Sequence, residues 1–328
     1  MLKNKKVQGI LQIGLSLALL ALLLRLVGLD EVITTLSNLD WGWYLPALLL
    51  FIVNIIIRGY RWYLLLHALN ERPSLIHLIY LYFIGFFANN FIPSGFGGDV
   101  VKIVSLRQSY GRGTEALSSV VMERVTGLMG SAIIALIALS WNGISHTTNI
   151  ELPLALWLAI VIISFGIPVA FILIRWLEPT QFITNRVPKL SKLPKFDKLG
   201  QLEDTVRRYP VPVLLQSLSI SIPFTLSLIL VQYSIARALN VTVPLAAFGL
   251  FVPIIAIVNL LPISFNGLGL REGLYLFLFG SIGVSSESAV AMSLAFYSLR
   301  FIAGMLGGLL YALRSVAQLL RSPHAKNL

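Results

Sequence analysis

Long apolar runs fill most of this sequence, and they restrict the chain to folds that lie in a membrane. A helix needs about 20 apolar residues to cross the hydrocarbon core of a bilayer. Only 12% of the residues are charged, about half the share of a soluble domain, so the chain cannot cover a water-facing surface of its size. The sequence therefore predicts an all-α polytopic membrane protein. Its nine apolar runs are Val7–Gly28, Trp43–Leu66, Leu75–Ile92, Leu117–Trp141, Leu152–Trp176, Val211–Ala238, Val243–Leu261, Leu268–Gly283 and Ala289–Leu313.

The composition removes several classes of function. Cysteine is absent, which excludes disulfides and thiolate catalysis, and the four histidines do not show the spacing of metal ligands. No GxxxxGK(S/T) nucleotide-binding motif occurs, so we expect no metal and no cofactor. The net charge of +11 would suggest nucleic acid in a soluble protein. In a membrane protein, an excess of Lys and Arg is typical of cytoplasmic loops, and no nucleic-acid partner is expected.

The positions of the basic residues predict which parts of the chain face the cytoplasm. Two loops, Asp30–Asp40 and Asn142–Glu151, hold no Lys or Arg and are assigned to the outside. Both termini are then cytoplasmic, in a multi-pass protein of the cell membrane. Val7–Gly28 follows a basic start, as a signal peptide does, but it is long and lacks a small-residue cleavage site, so we expect an uncleaved first span. The five basic stretches, which hold 20 of the 25 Lys and Arg, are the N-terminus (Lys3, Lys5, Lys6), Arg58–Arg72, Lys102–Arg112, Arg175–Arg208 and the tail (Arg314, Arg321, Lys326).

This charge distribution predicts two re-entrant hairpins. The segment Leu75–Gln108 has basic residues on both sides and must enter and leave from the cytoplasm. The segment Val243–Gly283 lies between a span that leaves the cytoplasm and one that returns to it, so it must enter and leave from outside. Irregular backbone at membrane depth is tolerated where it is buried in protein or lines a wet cavity. We therefore expect six full crossings and two hairpins, with eight or more full spans as the alternative.

The two hairpin turns resemble each other. Asn90, Pro93, Phe96 and Gly98 match Asn259, Pro262, Phe265 and Gly267 at the same spacing. We interpret the chain as one membrane domain, 1–328, built from two inverted repeats, 1–151 and 152–328, with a basic cytoplasmic linker at 178–210. Secondary transporters are often built in this way, with the binding site at the midplane where broken helices meet.

The hairpin turns carry residues that are suited to bind an anion. In the first turn, Pro93 and the glycines around it break the helix, and a helix is expected to restart at Asp99 and to run to about Ser109. Its N–H groups and dipole favour an anion, and Lys102 adds a positive charge. The alternative is that the glycines only allow turning and packing and that Asp99 stabilises its own helix. The other candidates in the two turns are Asn90, Gly95, Gly97, Gly98, Asn259, Gly267, Gly269 and Arg271.

Five ionisable residues fall at membrane depth, where charged side chains are expensive and usually functional. Adjacent residues such as Glu123 and Arg124 point about 100° apart on a helix, so we expect them to pair with other elements rather than with each other. Arg124 and Arg300 are either phosphate ligands or structural ion-pair partners. Small residues four apart near both, such as Gly127 and Ser131, allow close helix approach. The five ionisable residues are Glu123, Arg124, Arg271, Glu272 and Arg300.

Three segments resemble a known family: NNFIPSGFGGDVVKIVSL (89–106), ALSSVVMERVTGL (116–128) and LLPISFNGLGLREG (260–273). They are similar to the bacterial and archaeal flippase-like membrane family, which is related to the transmembrane flippase domain of lysylphosphatidylglycerol synthase. The resemblance covers most of the chain and implies a lipid-translocating domain. The synthase also carries a soluble aminoacyl-transferase domain without a counterpart here, so aminoacylation of lipid is not expected. The matching positions are Asn90, Pro93, Gly95, Gly97, Gly98, Asp99, Glu123, Arg124, Pro262, Gly267, Gly269, Arg271, Glu272 and Arg300.

The sequence is compatible with three functions. The first is a flippase for an anionic phospholipid or a polyprenyl-phosphate-linked lipid, which is not an enzyme and whose ligands are membrane lipids. The second is a non-transporting partner of a lipid-modifying or glycosyl-transferring enzyme. In that role, the lysines of the linker would contact anionic lipid headgroups. The third is an enzyme acting on lipid headgroups, for which Asp99, Glu123 and Glu272 are the available acids. The sequence leaves the lipid, the direction, the coupling ion and the oligomeric state open.

Overall fold

A computed structural model describes residues 21–22, 24–25, 27–91, 97–111, 113–144, 154–177, 180, 185–186, 196–259, 264 and 267–321. Within these ranges the chain forms eleven α-helices and no strand, which confirms the predicted all-α fold. The helices are α1 (Leu29–Ser37), α2 (Trp41–His67), α3 (Leu75–Phe91), α4 (Gly97–Tyr110), α5 (Gly113–Ile144), α6 (Leu154–Trp176), α7 (Phe196–Arg207), α8 (Val211–Ala238), α9 (Leu245–Val258), α10 (Leu270–Gly280) and α11 (Ser286–Arg321).

Four helices are long and apolar enough to cross a membrane. They comprise α2, α5 up to Trp141, α8, and α11 up to Ser315, and each has 27 to 30 residues. At 1.5 Å per residue, such a helix is about 40 Å long or more, which exceeds the hydrocarbon thickness of about 30 Å. These helices coincide with four of the six predicted crossings, and α6 coincides with the fifth. Most of the first predicted crossing, Val7–Gly28, and the linker lysines Lys189, Lys192 and Lys195 lie outside the described residues.

Four shorter helices occupy the two predicted hairpin segments. The helices α3 and α4 have 17 and 14 residues, and α9 and α10 have 14 and 11, each fewer than the about 20 residues of a typical crossing. The helix α4 begins at Gly97, two residues before the expected Asp99. Which side of the membrane each pair enters from, and with it the cytoplasmic placement of the termini, stays a prediction.

The two halves of the chain exchange helices. The helix α2 of the first half packs along α8 of the second. The helix α3 packs on α11, the last helix of the second half, and α9 packs on α5, the last described helix of 1–151. The first hairpin helix of each half, α3 or α9, therefore packs on the last described helix of the other half. Together these helices surround a common centre. The inverted-repeat relation between 1–151 and 152–328 stays a prediction.

Glycines allow the closest of these helix contacts. A methyl group added at Gly304 would lie 3.2 Å from the backbone carbonyl oxygen of Phe86 in α3, and one at Gly130 would lie 3.1 Å from the backbone of Ser221 in α8. One at Gly307 would collide with the carbonyl of Phe83. Any larger residue would push these helices apart, so the small residues of α5 and α11 permit the close approach that their spacing predicts.

The contact between α3 and α4 gives a stability prediction. A methyl group at Gly98 would lie 2.7 Å from the carbonyl oxygen of Gly85 and 2.9 Å from Nδ2 of Asn89, both inside van der Waals contact. We expect Gly98→Ala to lower the free energy of unfolding by about 1–3 kcal/mol, as overpacking does, measured as a lower midpoint of thermal unfolding in detergent. Gly273→Ala is the matched control, because a methyl group there meets nothing within 4 Å and alanine favours helix. Equal midpoints for the two variants would show that the α3–α4 contact is not tight.

Candidate functional site

A cavity of about 260 Å³ lies at the common centre of the two halves, and both hairpin regions reach it. Its lining is strongly cationic, because it holds six basic side chains and two carboxylates, those of Asp99 and Glu123. A third carboxylate, that of Glu272, contacts Arg271 but is not part of the lining. The lining therefore carries a formal charge of +4. Such an excess of buried positive charge favours an anion as the occupant. The six basic residues are Arg58, Arg61, Lys102, Arg124, Arg271 and Arg300.

The carboxylate of Glu123 organises the first half of the cavity. Its side chain is fully buried, and three cations from two other helices bind it. Oε1 accepts from Arg58 Nε at 2.8 Å and from Arg61 Nη2 at 3.2 Å, and Oε2 accepts from Lys102 Nζ at 2.9 Å. One negative charge thus holds three positive charges together, and this cluster stays cationic.

Aromatic rings and a hydroxyl give the same cations further support. Lys102 Nζ lies 3.8 Å from the ring centre of Tyr82, and the Arg61 guanidinium lies 4.7 Å from that of Phe224. Both distances are within the range of cation–π attraction. Arg61 Nη1 also donates to Ser221 Oγ at 2.8 Å. These contacts fix the cations in position while they face the cavity.

Asp99 and Arg124 form a second ion pair on the same side of the cavity. Asp99 lies in the first turn of α4, and both Nε and Nη2 of Arg124 donate to its Oδ2. Lys102 Nζ is 3.7 Å from the other carboxylate oxygen of Asp99. Glu123 and Arg124 therefore pair with other elements, as expected from their divergent directions. Arg124 is an ion-pair partner of Asp99 that also lines the cavity.

Arg271 and Glu272 form the second half of the site, at the start of α10. Arg271 Nε donates to Ser293 Oγ at 3.0 Å, and Ser293 Oγ donates to Glu272 Oε1 at 2.8 Å. Arg271 Nη2 also reaches Glu272 Oε1 at 3.2 Å. The expectation that adjacent ionisable residues avoid each other is wrong here, because the long arginine side chain reaches the carboxylate that Ser293 already contacts. Both residues are almost fully buried.

At the start of α4 and of α10, a side chain of the protein already accepts a hydrogen bond from one backbone N–H. Gly98 N donates to Asn89 Oδ1 at 2.7 Å, and Gly269 N donates to Glu272 Oε2 at 2.6 Å. An anion that binds the backbone N–H groups at the start of α4 or α10, as expected, would therefore compete with the side chain of Asn89 or Glu272. The side chains, rather than these two N–H groups, present the positive charge to the cavity.

The remaining predicted residues surround the two hairpin turns. Asn90 Nδ2 and Asn259 Oδ1 are buried and find no hydrogen-bond partner among the described residues. Gly267 has a φ of 81°, which favours glycine, and a methyl group there would lie 2.9 Å from Asn259 Oδ1. Arg300 lines the cavity from α11, with its guanidinium 5.9 Å from the ring centre of Phe86. Gly97 is buried at the start of α4, whereas Pro93, Gly95 and Pro262 lie outside the described residues.

The sequence interpretation missed Arg58 and Arg61. It assigned both to a basic cytoplasmic stretch, whereas the structure turns them inward to Glu123. Their spacing of three within an apolar helix places them on one face, and that pattern could have marked them as cavity residues. Asn54, Asn89, Gln232 and Tyr275 also line the cavity and carried no signal of their own. In the described ranges, no three acidic or histidine side chains gather as a metal site requires.

Comparison with known proteins identifies the family. A family model described as the lysylphosphatidylglycerol synthase TM region matches residues 9–308. A UPF0104 membrane protein of Methanothermobacter thermautotrophicus is 24% identical over 291 residues, which cover 80% of this chain and 80% of that relative. A UPF0104 membrane protein of Pyrococcus horikoshii is 24% identical over 184 residues, which cover 55% of this chain and 51%, or about half, of that relative. Because the family model spans nearly the whole chain, this protein belongs to the family of lysylphosphatidylglycerol synthase transmembrane regions.

Proposed function

We propose that this protein is a lipid translocase that moves a lipid with an anionic phosphate headgroup across the cell membrane. The observation that carries the proposal is the formal charge of +4 on the lining of a cavity enclosed by spanning and hairpin helices. Charged side chains at membrane depth are expensive and mark substrate pathways. Membership of a family linked to lipid metabolism or transport agrees with a lipid as the substrate.

The arrangement of the cations suits a phosphate headgroup. Arginine presents planar, paired N–H donors that match the oxygens of a phosphate. Five helices supply cations to the lining: α2, α4, α5, α10 and α11. Before a headgroup arrives, Glu123 and Asp99 neutralise part of this charge. The phosphate then adds a negative charge that the two carboxylates do not supply, while the acyl chains stay in the bilayer.

The proposed role involves transport without chemistry on the lipid. The sequence has no nucleotide-binding motif, so the driving force is a downhill lipid gradient or an ion gradient. In this proposal the two halves, which pack on each other through α3 and α9, tilt relative to each other and so expose the cavity to either side, as transporters with repeated halves do.

Reconstitution into liposomes tests this proposal. Purified protein is placed in vesicles that contain fluorescently labelled phosphatidylglycerol, and dithionite then bleaches the label in the outer leaflet. We expect the protected inner-leaflet fluorescence to fall in vesicles with protein and to persist in empty vesicles. A labelled phosphatidylcholine with the same acyl chains is the control for nonspecific leakage. Rates equal to those of empty vesicles, across several anionic headgroups, would overturn the proposal.

A further inference from the structure

Arg271 is held in one orientation and has an unused donor nitrogen. Its side chain is 1% exposed, and Nε and Nη2 are engaged by Ser293 and Glu272. Because the guanidinium is planar and rigid, these bonds also fix the direction of Nη1. Nη1 is buried and has no hydrogen-bond partner among the described residues. Since Arg271 lines the cavity, a ligand in the cavity is the available acceptor.

Asn259 offers an unused acceptor in the same cavity. Its Oδ1 is buried, has no partner within the described chain, and belongs to a residue that lines the cavity with Arg271. A methyl group at Gly267 would lie 2.9 Å from Asn259 Oδ1 and 3.9 Å from Cβ of Arg271, so both residues lie next to the same glycine. Leaving buried polar groups without partners is costly. The two groups therefore match a ligand that accepts a hydrogen bond at Arg271 and donates one at Asn259.

The charge of the cavity decides which kind of donor fits. A hydroxyl and an ammonium group can both donate to Asn259 Oδ1. An ammonium would enter a lining with a formal charge of +4, or +3 when the Glu272 carboxylate that contacts Arg271 is counted. The two carboxylates of the lining already bind Lys102, Arg124 and the arginines of α2. A hydroxyl meets no such repulsion. A quaternary ammonium would suffer the repulsion and has no hydrogen to donate.

We propose that Arg271 and Asn259 form a two-point site for a phosphate ester of a polyol, in which Arg271 Nη1 donates to a phosphate oxygen and Asn259 Oδ1 accepts from a hydroxyl. This inference rests on the proposed function for its lipid source and sharpens the substrate class to hydroxylated, net-anionic headgroups. It also states what the site rejects: choline headgroups, whose quaternary ammonium cancels the phosphate charge and has no hydrogen to donate to Asn259 Oδ1. The shared chemistry of a phosphate and a hydroxyl is also present in free glycerol phosphate.

Matched lipids test the two points on the wild-type protein. Phosphatidylglycerol and phosphatidylethanol carry the same phosphodiester charge, but only the first has headgroup hydroxyls. We expect purified protein in detergent to bind phosphatidylglycerol about three- to tenfold more tightly, the value of one hydrogen bond. Phosphatidylcholine is expected to bind more weakly than either. Equal affinity for phosphatidylglycerol and phosphatidylethanol would overturn the inference.

Two variants test whether Asn259 and Arg271 cause the preference for phosphatidylglycerol over phosphatidylethanol. In Asn259→Leu the difference in affinity between the two lipids should vanish, and the monodisperse fraction in size-exclusion chromatography reports whether the variant is folded. In Arg271→Gln both affinities should fall about tenfold or more, the value of a hydrogen bond to a charged group. Arg237→Gln is the control, because Arg237 lies over the ring of Trp43 and is not part of the cavity lining. A hydroxyl preference that survives Asn259→Leu would contradict the role of Asn259.

Two further measurements separate this inference from the proposed function. Glycerol phosphate is added as a competitor of phosphatidylglycerol binding. If it competes at the same concentration as unlabelled phosphatidylglycerol does, a free polyol phosphate is the source of the ligand. Transport is measured in the liposome assay with the same lipids. Selective binding without transport would support the two-point site and overturn the translocase function. Transport with equal rates and affinities for both anionic lipids would do the reverse.

Discussion

Replacing Glu123 with glutamine is expected to cost most of the stability of the folded protein. The carboxylate is fully buried and binds Arg58, Arg61 and Lys102 at 2.8 to 3.2 Å, so Glu123→Gln leaves three buried cations without their common counter-charge. Removing one partner of a buried ion pair costs about 3–5 kcal/mol. The measurement is the unfolding midpoint in detergent, together with the monodisperse fraction in size-exclusion chromatography.

A second substitution separates this charge effect from a general loss of packing. Lys102→Met removes one of the excess cations, so adding it to Glu123→Gln should recover part of the lost stability, which makes the two effects non-additive. Glu31→Gln is the control, because Glu31 is exposed in α1, and it should unfold as the wild type does. Wild-type stability of Glu123→Gln would show that the three cations do not depend on this carboxylate.

The double variant Arg271→Gln and Arg300→Gln is expected to lower lipid translocation to the level of empty vesicles. These residues supply positive charge to the cavity from α10 and α11 of the second half. A hydrogen bond to a charged group contributes about 1.5–3 kcal/mol, so each loss should slow transport about tenfold or more, and the two losses multiply. The measurement is the dithionite assay with labelled phosphatidylglycerol, at equal amounts of reconstituted protein.

Arg314→Gln is the matched control for this double variant. Arg314 belongs to the same helix as Arg300 and lies over the ring of Tyr80 at 5.0 Å, but it is not part of the cavity lining. Loss of its charge should leave the translocation rate within the error of the wild type. If the double variant is folded and transports at the wild-type rate, the headgroup does not pass through this cavity.

The spans of this fold could be predicted from sequence because their signal is local. A run such as Val211–Ala238 is apolar over its whole length, and the helix occupies the same residues. Helix breaks near Pro93 and Pro262 were predicted because proline and glycine act on the backbone within a few residues. Both prolines lie outside the described residues, and on either side of Pro262 the helix α9 ends at Val258 and α10 begins at Leu270. The predicted restart at Asp99 differs from the observed start of α4 at Gly97 by two residues, within the normal variation of helix ends.

The partners of the charged residues could not be predicted in the same way. The ion pair between Arg58 and Glu123 joins residues 65 positions apart, and no periodicity in either helix encodes it. The positive-inside rule counts charges near span ends without regard to direction, so it treated Arg58 and Arg61 as loop charges. The capture of Gly98 N by Asn89 depends on how α3 meets α4, which the sequence pattern does not specify.

The exchange of helices between the halves sets the order in which the protein can assemble during its synthesis. The helix α3 ends at Phe91, and its packing partner α11 begins at Ser286, so roughly two hundred residues must be translated between them. At 5–20 residues per second, α3 spends about 10–40 s in or near the membrane before the glycine face of α11 arrives. Throughout that interval, the face of α3 that α11 will cover is in contact with lipid or with transient partners. Completion of the first half therefore waits for the last helix, which makes biogenesis sensitive to any factor that shelters unfinished helices in the bilayer.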